Sequence, residues 1–321
     1  MRRSGRLVGL CILLTWPLHA QSESPVFSIL SVNTAQLPKL VESTHQDKRI
    51  QLLADRVLQM QPSVVVLQEL WTRSATRAFT KRVQAAYPYI GLDRSWGRFP
   101  LGLTSGLAFF SKYPIEAMYV HHFTHYRGDE RFAKKGVLGI KLTVGAHPVF
   151  IFTTHLQAGG GSKLLRWLDE PGYGISWLRR YIPGKKSCAD ISLLQVEEMK
   201  SFIDKQTNLE KDYVFLTGDF NVLARSPQDV FDPHVPDYDH YDRVMEILGG
   251  NHVYDTWVRN DPRTKTGSTW DKNGKARENY RIDYMLSLGL HPRKGRSILT
   301  DRIGPEITDH LTVWGEFSFL Y

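Results

Sequence analysis

Eight polar residues of this 321-residue chain share one kind of placement. Asn33, Glu69, His155, Asp219, Asn221, Asp283, Asp309 and His310 each fall at or near the end of an apolar stretch, or just before one begins. A single such acid is most often a turn or cap residue, because Asp and Asn hydrogen-bond their own backbone there. Eight of them in one domain carry more weight, since strand ends along one sheet edge converge in space. Carboxylate and amide oxygens suit a hard cation such as Mg²⁺, and two histidines with acids nearby suit proton transfer at neutral pH. Other chemistries have no motif here. There is no H-E-x-x-H zinc helix or G-x-x-x-x-G-K-[ST] phosphate loop, and no G-x-S-x-G nucleophile elbow. Only two cysteines occur, Cys11 and Cys188, which excludes a disulfide scaffold and a Cys-rich zinc fold. Cys188 lies in a Lys-rich stretch and reads as an idle thiol rather than a reactive one.

The elements that must position these residues are mostly short apolar strands. Phe27 to Asn33, Ser63 to Leu67, Gly106 to Ser111, Tyr213 to Gly218, Arg281 to Leu288 and Leu311 to Phe319 read as strands. Val137 to Val144 and Val149 to His155 read as a hairpin across Gly145 to Pro148. Helices are expected over Asp47 to Met60, where Ile50, Leu53, Val57 and Met60 share a face, and over Ser74 to Gln84, Ile191 to Gln206 and Asp239 to Leu248. Glu69 sits just past its strand, and Asp219 at the end of another. Hairpins mixed with helical crossovers do not fit a doubly wound sheet or a barrel. They fit two packed mixed sheets with helices outside.

The first twenty residues have a separate logic. Arg2, Arg3 and Arg6 precede an uncharged, mostly apolar run from Leu7 to Leu18, and Ala20 ends a Leu-His-Ala triplet. This is the layout of a signal peptide, and the run is shorter than the ~20 residues that span a bilayer. The expectation is a leader over 1–20 and one domain over 21–321, exported to the periplasm or secreted. Removing the leader takes away three Arg and no acid, which lowers the formal charge from +8 to +5. A modest positive excess suggests an anionic partner without naming it.

Six segments in order carry a family resemblance: Val32-Asn33, Leu67-Gln68-Glu69, Thr153-Thr154-His155-Leu156, Gly218-Asp219-Phe220-Asn221, Arg281-Ile282-Asp283-Tyr284 and Thr308-Asp309-His310-Leu311. With them the chain resembles the endonuclease/exonuclease/phosphatase superfamily, and within it the secreted and neutral sphingomyelinases. The narrower resemblance rests on Ser105 to Ile115, on Phe132-Ala133-Lys134-Lys135-Gly136-Val137, and on Thr269-Trp270-Asp271 ahead of Arg281-Ile282-Asp283. The resemblance implies a DNase I-like, four-layer α/β/β/α sandwich with a divalent metal at one edge, Mg²⁺ with Mn²⁺ or Co²⁺ as alternatives. It implies Glu69 as the main metal ligand with Asn33 close by, and His310 as general base, held and polarised by Asp283. Asp219 would orient water or metal, Asn221 would donate its amide to a phosphoryl oxygen, and His155 would stabilise charge building on phosphorus. Asp309 would support the metal side or the His310 loop. The implied reaction is hydrolysis of sphingomyelin to ceramide and phosphocholine. The alternatives are a secreted Mg²⁺-dependent nuclease of the same superfamily and a non-catalytic module that binds lipid surfaces.

One segment, 159–190, has no place in a minimal version of that fold. It interleaves Trp167, Trp177 and Tyr181 with Lys163, Arg166, Arg179, Arg180, Lys185 and Lys186. Rings beside cations suit a phospholipid headgroup interface, so these three aromatics and Lys135 are the expected membrane or substrate contacts. The same composition serves a lid packed on the protein body, or stacking on nucleic-acid bases. The exposed aromatic hairpin associated with bacterial sphingomyelinases comes later in the chain, and here that region, Arg259 to Asn279, is short and polar. His121, His122, His125 and Asp129 form the one other histidine cluster, read either as a metal site or, more commonly, as a solvated loop.

Overall fold

A computed structural model describes residues 27–36, 46–95, 103–128, 130, 133–158, 188–223, 240–257, 269, 281–289, 295–299 and 306–319. The expected leader over 1–20, the 159–187 stretch with Trp167, Trp177 and Tyr181, the 259–268 and 271–279 stretches, Asp129, Phe132 and Trp270 lie outside the described residues.

Two six-stranded mixed sheets form the centre. The first has the order β11-β12-β1-β2-β4-β3. Its strands are β1 (Phe27–Gln36), β2 (Val64–Leu70), β3 (Tyr89–Leu92), β4 (Ala108–Ser111), β11 (Gly295–Leu299) and β12 (Val313–Phe317). The second has the order β5-β6-β7-β8-β10-β9. It comprises β5 (Ala117–His122), β6 (Gly136–Val144), β7 (His147–His155), β8 (Tyr213–Asp219), β9 (Val253–Asp255) and β10 (Asp283–Leu288). Among the described residues, four α-helices flank them: α1 (Gln46–Met60), α2 (Arg73–Val83), α3 (Cys188–Gln206) and α4 (His240–Leu248).

Strand alternation sorts the core into three slabs. Ile29, Val64, Val66 and Phe109 face Leu138, Ile140, Ile151 and Phe215 between the sheets. Their neighbours Leu30, Val65, Leu67 and Phe110 turn the other way, onto Leu53, Val57 and Phe79 of α1 and α2. Phe152, Val214 and Leu286 turn outward onto Val196, Met199 and Val244 of α3 and α4. This is the expected four-layer sandwich.

Each sheet holds one parallel pair, β1 with β2 and β7 with β8. In parallel strands the C-terminal ends lie together, so Asn33, Glu69, His155 and Asp219 are gathered at one rim. β10 runs antiparallel to β8 and begins at that rim, with Asp283 paired to Asp219. β12 runs antiparallel to β1, which brings the preceding residue pair Asp309-His310 to the same place. Topology alone therefore assembles the eight residues.

Among the described residues, the histidines of the cluster are hydrogen-bonded to carboxylates, and they form no group with metal-ligand spacing. Glu198 of α3 accepts from His121 Nε2 at 3.1 Å and from His125 Nδ1 at 2.6 Å, and also from the Thr124 amide and hydroxyl. His122 is paired separately with Asp93 at 2.9 Å. Burial opposes the charge on Glu198, but the Thr124 amide, His125, the Thr124 hydroxyl and His121 outweigh it and hold its pKa below the ordinary value. The stabilisation is therefore present above the usual carboxylate range and is lost as pH falls through the lowered pKa. Glu198→Gln should cost about 1–3 kcal/mol at pH 7. In urea unfolding, the gap to the native protein should hold down to about pH 5 and shrink below about pH 4. A gap of constant size across that range would rule out the charged clamp.

Candidate metal and catalytic site

The backbone at the rim is bent to aim side chains. The β1–β2 register shifts between Asn33 and Gln36, where Ala35 has φ +46° and Glu69 φ +56°. Glu69 is thus inside β2 by hydrogen bonding yet breaks its pleat, where the sequence suggested a residue beyond the strand. Asn221 has φ +51° and Gly218 φ +137°. A Cβ on Gly218 would lie 2.1 Å from the Thr154 carbonyl oxygen, so only glycine fits between β7 and β8 there. Positive φ at non-glycine residues costs free energy and gathers at functional sites.

Asn33 is buried and bridges two acids. Its amide nitrogen donates to Glu69 at 3.1 Å and to Asp219 at 2.9 Å, and its oxygen accepts from the Ala35 amide at 3.0 Å. Asn33, implied as a neighbour of the metal, thus turns its amide nitrogen to both carboxylates and holds them at their spacing. Asp219 also accepts from the Asn221 amide at 2.8 Å. The Asn221 side chain donates to the Leu156 carbonyl at 3.2 Å and keeps a second N–H. His155 points Nε2 at the same acids, 3.8 Å from Glu69 and 3.7 Å from Asp219.

His310 faces this group from the other side. Its Nδ1 donates to Asp283 at 2.8 Å, and its Nε2 lies 3.8 Å from Asp219. The supports are buried. Thr308 accepts from the His310 amide and donates to the Asn33 carbonyl. The Thr269 hydroxyl accepts from the amides of Ile282 and Asp283, while its carbonyl accepts from Leu311 at 2.6 Å, which ties the acid to the histidine loop. Arg281, 1% exposed, forms a two-pronged pair with Asp255 and lies 4.6 Å from the Tyr284 ring. Gln68 crosses between the sheets, donating to Ser31 and to Thr153.

Charge is unevenly distributed between the two histidines. Burial works against a cationic His310, yet Asp283, Asp219 and Asp309 together raise its pKa to about 10. Burial lowers His155 well below its ordinary value, helped by Lys135 and His310. Burial also pushes Asp219 up to about 7, with the Asp283 charge adding to it. A general base has to give up its proton near neutral pH, and the acids around His310 oppose that: with their charges uncompensated, it keeps its proton.

Glu69, His155 and Asp219 offer ligand atoms within 4.8 Å of one another, and so do Asp219, Asp283 and His310. This oxygen-rich donor set, carrying excess negative charge, fits a hard divalent cation. Lys135 departs from expectation. It is buried, donating to Glu130 and to the Leu156 carbonyl at 2.8 Å each, so it is not a membrane-contacting cation. A cavity of about 110 Å³ is lined by His122, Phe123, His125, Tyr126 and Lys135, and none of the eight rim residues lines it. No described helix is long and apolar enough to cross a membrane.

Comparison with known proteins follows the same lines. The model of the Endonuclease/Exonuclease/phosphatase family matches residues 33–310. A sphingomyelinase of Dictyostelium discoideum is 26% identical over 213 residues, covering 61% of this chain and 44% of that protein. A sphingomyelinase C of Leptospira interrogans is 24% identical over 331 residues, covering 93% of this chain and 52% of that protein. The chain thus spans about half the length of these relatives. The crystal structure of beta toxin from Staphylococcus aureus with bound magnesium ions superposes with a TM-score of 0.68 at 19% identity, covering 91% of this chain and 99% of that one.

Proposed function

The chain belongs to the endonuclease/exonuclease/phosphatase family, and from that premise we propose that it is a divalent-metal-dependent phosphodiesterase that hydrolyses sphingomyelin to ceramide and phosphocholine. The observation that carries this reading is the Glu69–Asn33–Asp219 bridge with His155 beside it and the His310–Asp283 pair opposite. The sphingomyelinase relatives supply the lipid. The leader over 1–20 and the aromatic, basic segment 159–190 fit an exported enzyme that works at a lipid surface.

Each residue has a task. Glu69 and Asp219 would hold the cation, with Mg²⁺ the choice that oxygen donors favour. Bound there, it supplies charge that neutralises the phosphoryl and leaving oxygens and offsets the acids that otherwise keep His310 protonated. Asp283 fixes the His310 proton at Nδ1, leaving Nε2 as the atom that takes a proton from the attacking water. His155, neutral and directed at the same acids, donates from Nε2 towards the phosphoryl oxygens. Asn221 offers its second N–H to them.

The test is a paired assay on sphingomyelin vesicles and on plasmid DNA, each with Mg²⁺ and with EDTA. The expected outcome is phosphocholine release from the vesicles, abolished by EDTA. DNA nicking without lipid turnover would replace this reading with a nuclease, and vesicle binding without turnover would replace it with a binding module.

A further inference from the structure

The two histidines are held differently. His310 has its orientation fixed by a 2.8 Å hydrogen bond to Asp283. His155 has no such bond: its Nδ1 is buried with no partner among the described residues, and its Nε2 contacts exceed hydrogen-bond range at 3.8 and 3.7 Å. The ring nevertheless has to face the acids at a fixed angle, so packing must hold it. Among the described residues, the aromatic ring against it is Trp71, with centroids 6.0 Å apart and planes at 42°.

Trp71 is itself seated. It follows Glu69 by two residues and is 7% exposed. Gly106, at φ +72°, lies so close that a Cβ there would be 2.8 Å from the indole Cε3 and 3.0 Å from Cζ3. The Gly106 carbonyl accepts from the Leu70 amide at 2.9 Å, which fixes that backbone against the residue before Trp71. Depth of the indole is thus set by a glycine, and the imidazole rests on the indole.

We propose that Trp71 is a positioning residue for His155, with Gly106 as the seat that sets how far the indole reaches. This role rests on the reading that His155 acts on the phosphoryl group. A rigid aromatic wall supplies the angular restraint that a hydrogen bond supplies for His310, at the tolerance of a fraction of an ångström that catalysis requires.

The test is a double-mutant cycle of Trp71→Ala and His155→Ala, with Trp71→Phe and Gly106→Ala alongside. kcat and KM are measured separately on sphingomyelin vesicles and on bis(p-nitrophenyl) phosphate, which needs no lipid recognition. His155→Ala should lower kcat by about 10²- to 10³-fold, the usual loss for one donor to a developing oxyanion. Trp71→Ala should lower kcat by about 10-fold or more with little change in KM, and Trp71→Phe should recover most of it. In the His155→Ala background, Trp71→Ala should then change kcat by less than about twofold, because the partner it positions is gone. Should Trp71→Ala fail to fold, Gly106→Ala takes its place in the cycle with the same dependence on His155. Additive losses, a loss confined to KM, or a Trp71→Phe as impaired as Trp71→Ala would overturn this role alone. A fully active His155→Ala would overturn the reading of His155 and this role with it.

Discussion

His310→Ala should lower turnover of sphingomyelin by about 10²- to 10⁴-fold, the range for loss of a general base, with KM nearly unchanged. The argument runs through its partner. The Asp283 hydrogen bond leaves only Nε2 to accept a proton, and the same carboxylate raises the pKa of the ring. The acid limb of the pH–rate profile should therefore belong to His310, and Asp283→Asn should move its midpoint to lower pH while reducing turnover. The same raised pKa has a stability consequence in metal-free protein. A histidine at about 10 when folded and near 6.5 when unfolded contributes stability that is complete below pH 6.5 and is lost as pH rises towards 10. The urea-unfolding gap between the metal-free native protein and His310→Ala should narrow across that window. Full turnover in His310→Ala would place the base elsewhere.

Glu69→Gln should reduce turnover at saturating lipid by about 10³-fold or more, since the charge stabilisation a bound cation provides is worth several kcal/mol. Glutamine keeps an oxygen for the Asn33 amide, so the bridge survives while the negative charge does not. Mg²⁺ titration should show half-saturation moved to much higher concentration. The metal-free variant should be at least as stable as the native chain, because the Glu69 charge is one of those that push Asp219 upward. Activity and stability moving in opposite directions separates a ligand from a structural acid. An unchanged Mg²⁺ dependence would remove Glu69 from the metal site.

The sequence made the central strands legible because burial on both faces leaves long apolar runs, as in Val64 to Leu67 and Tyr213 to Leu216. It missed β3, β5, β9 and β11 because an edge strand has one partner and a weaker pattern. In β5, Met118 and Val120 are exposed and two histidines end the strand. The eight rim residues were found because their acids and amides follow such runs. What holds them was hidden: Thr269 with Asp283, Arg281 with Asp255 and Gln68 with Thr153 are contacts between distant segments that no local pattern signals. The same distance concealed Glu198, 73 residues from His125, and left that cluster readable as a metal site or a loop. The burial of Lys135 was hidden for a related reason, since it depends on a carboxylate and a carbonyl brought to the lysine by folding. Trp71 had one local clue, its position two residues beyond Glu69, and nothing in the sequence to say which ring it would meet.

The most direct measurement of the central claim is hydrolysis of sphingomyelin vesicles with Mg²⁺ in ¹⁸O-labelled water, followed by mass spectrometry of both products. Attack of water on phosphorus, with His310 taking its proton, predicts one ¹⁸O in phosphocholine and none in ceramide. Label in the ceramide hydroxyl, release of free choline with the phosphate left on ceramide, or no release at all would contradict it.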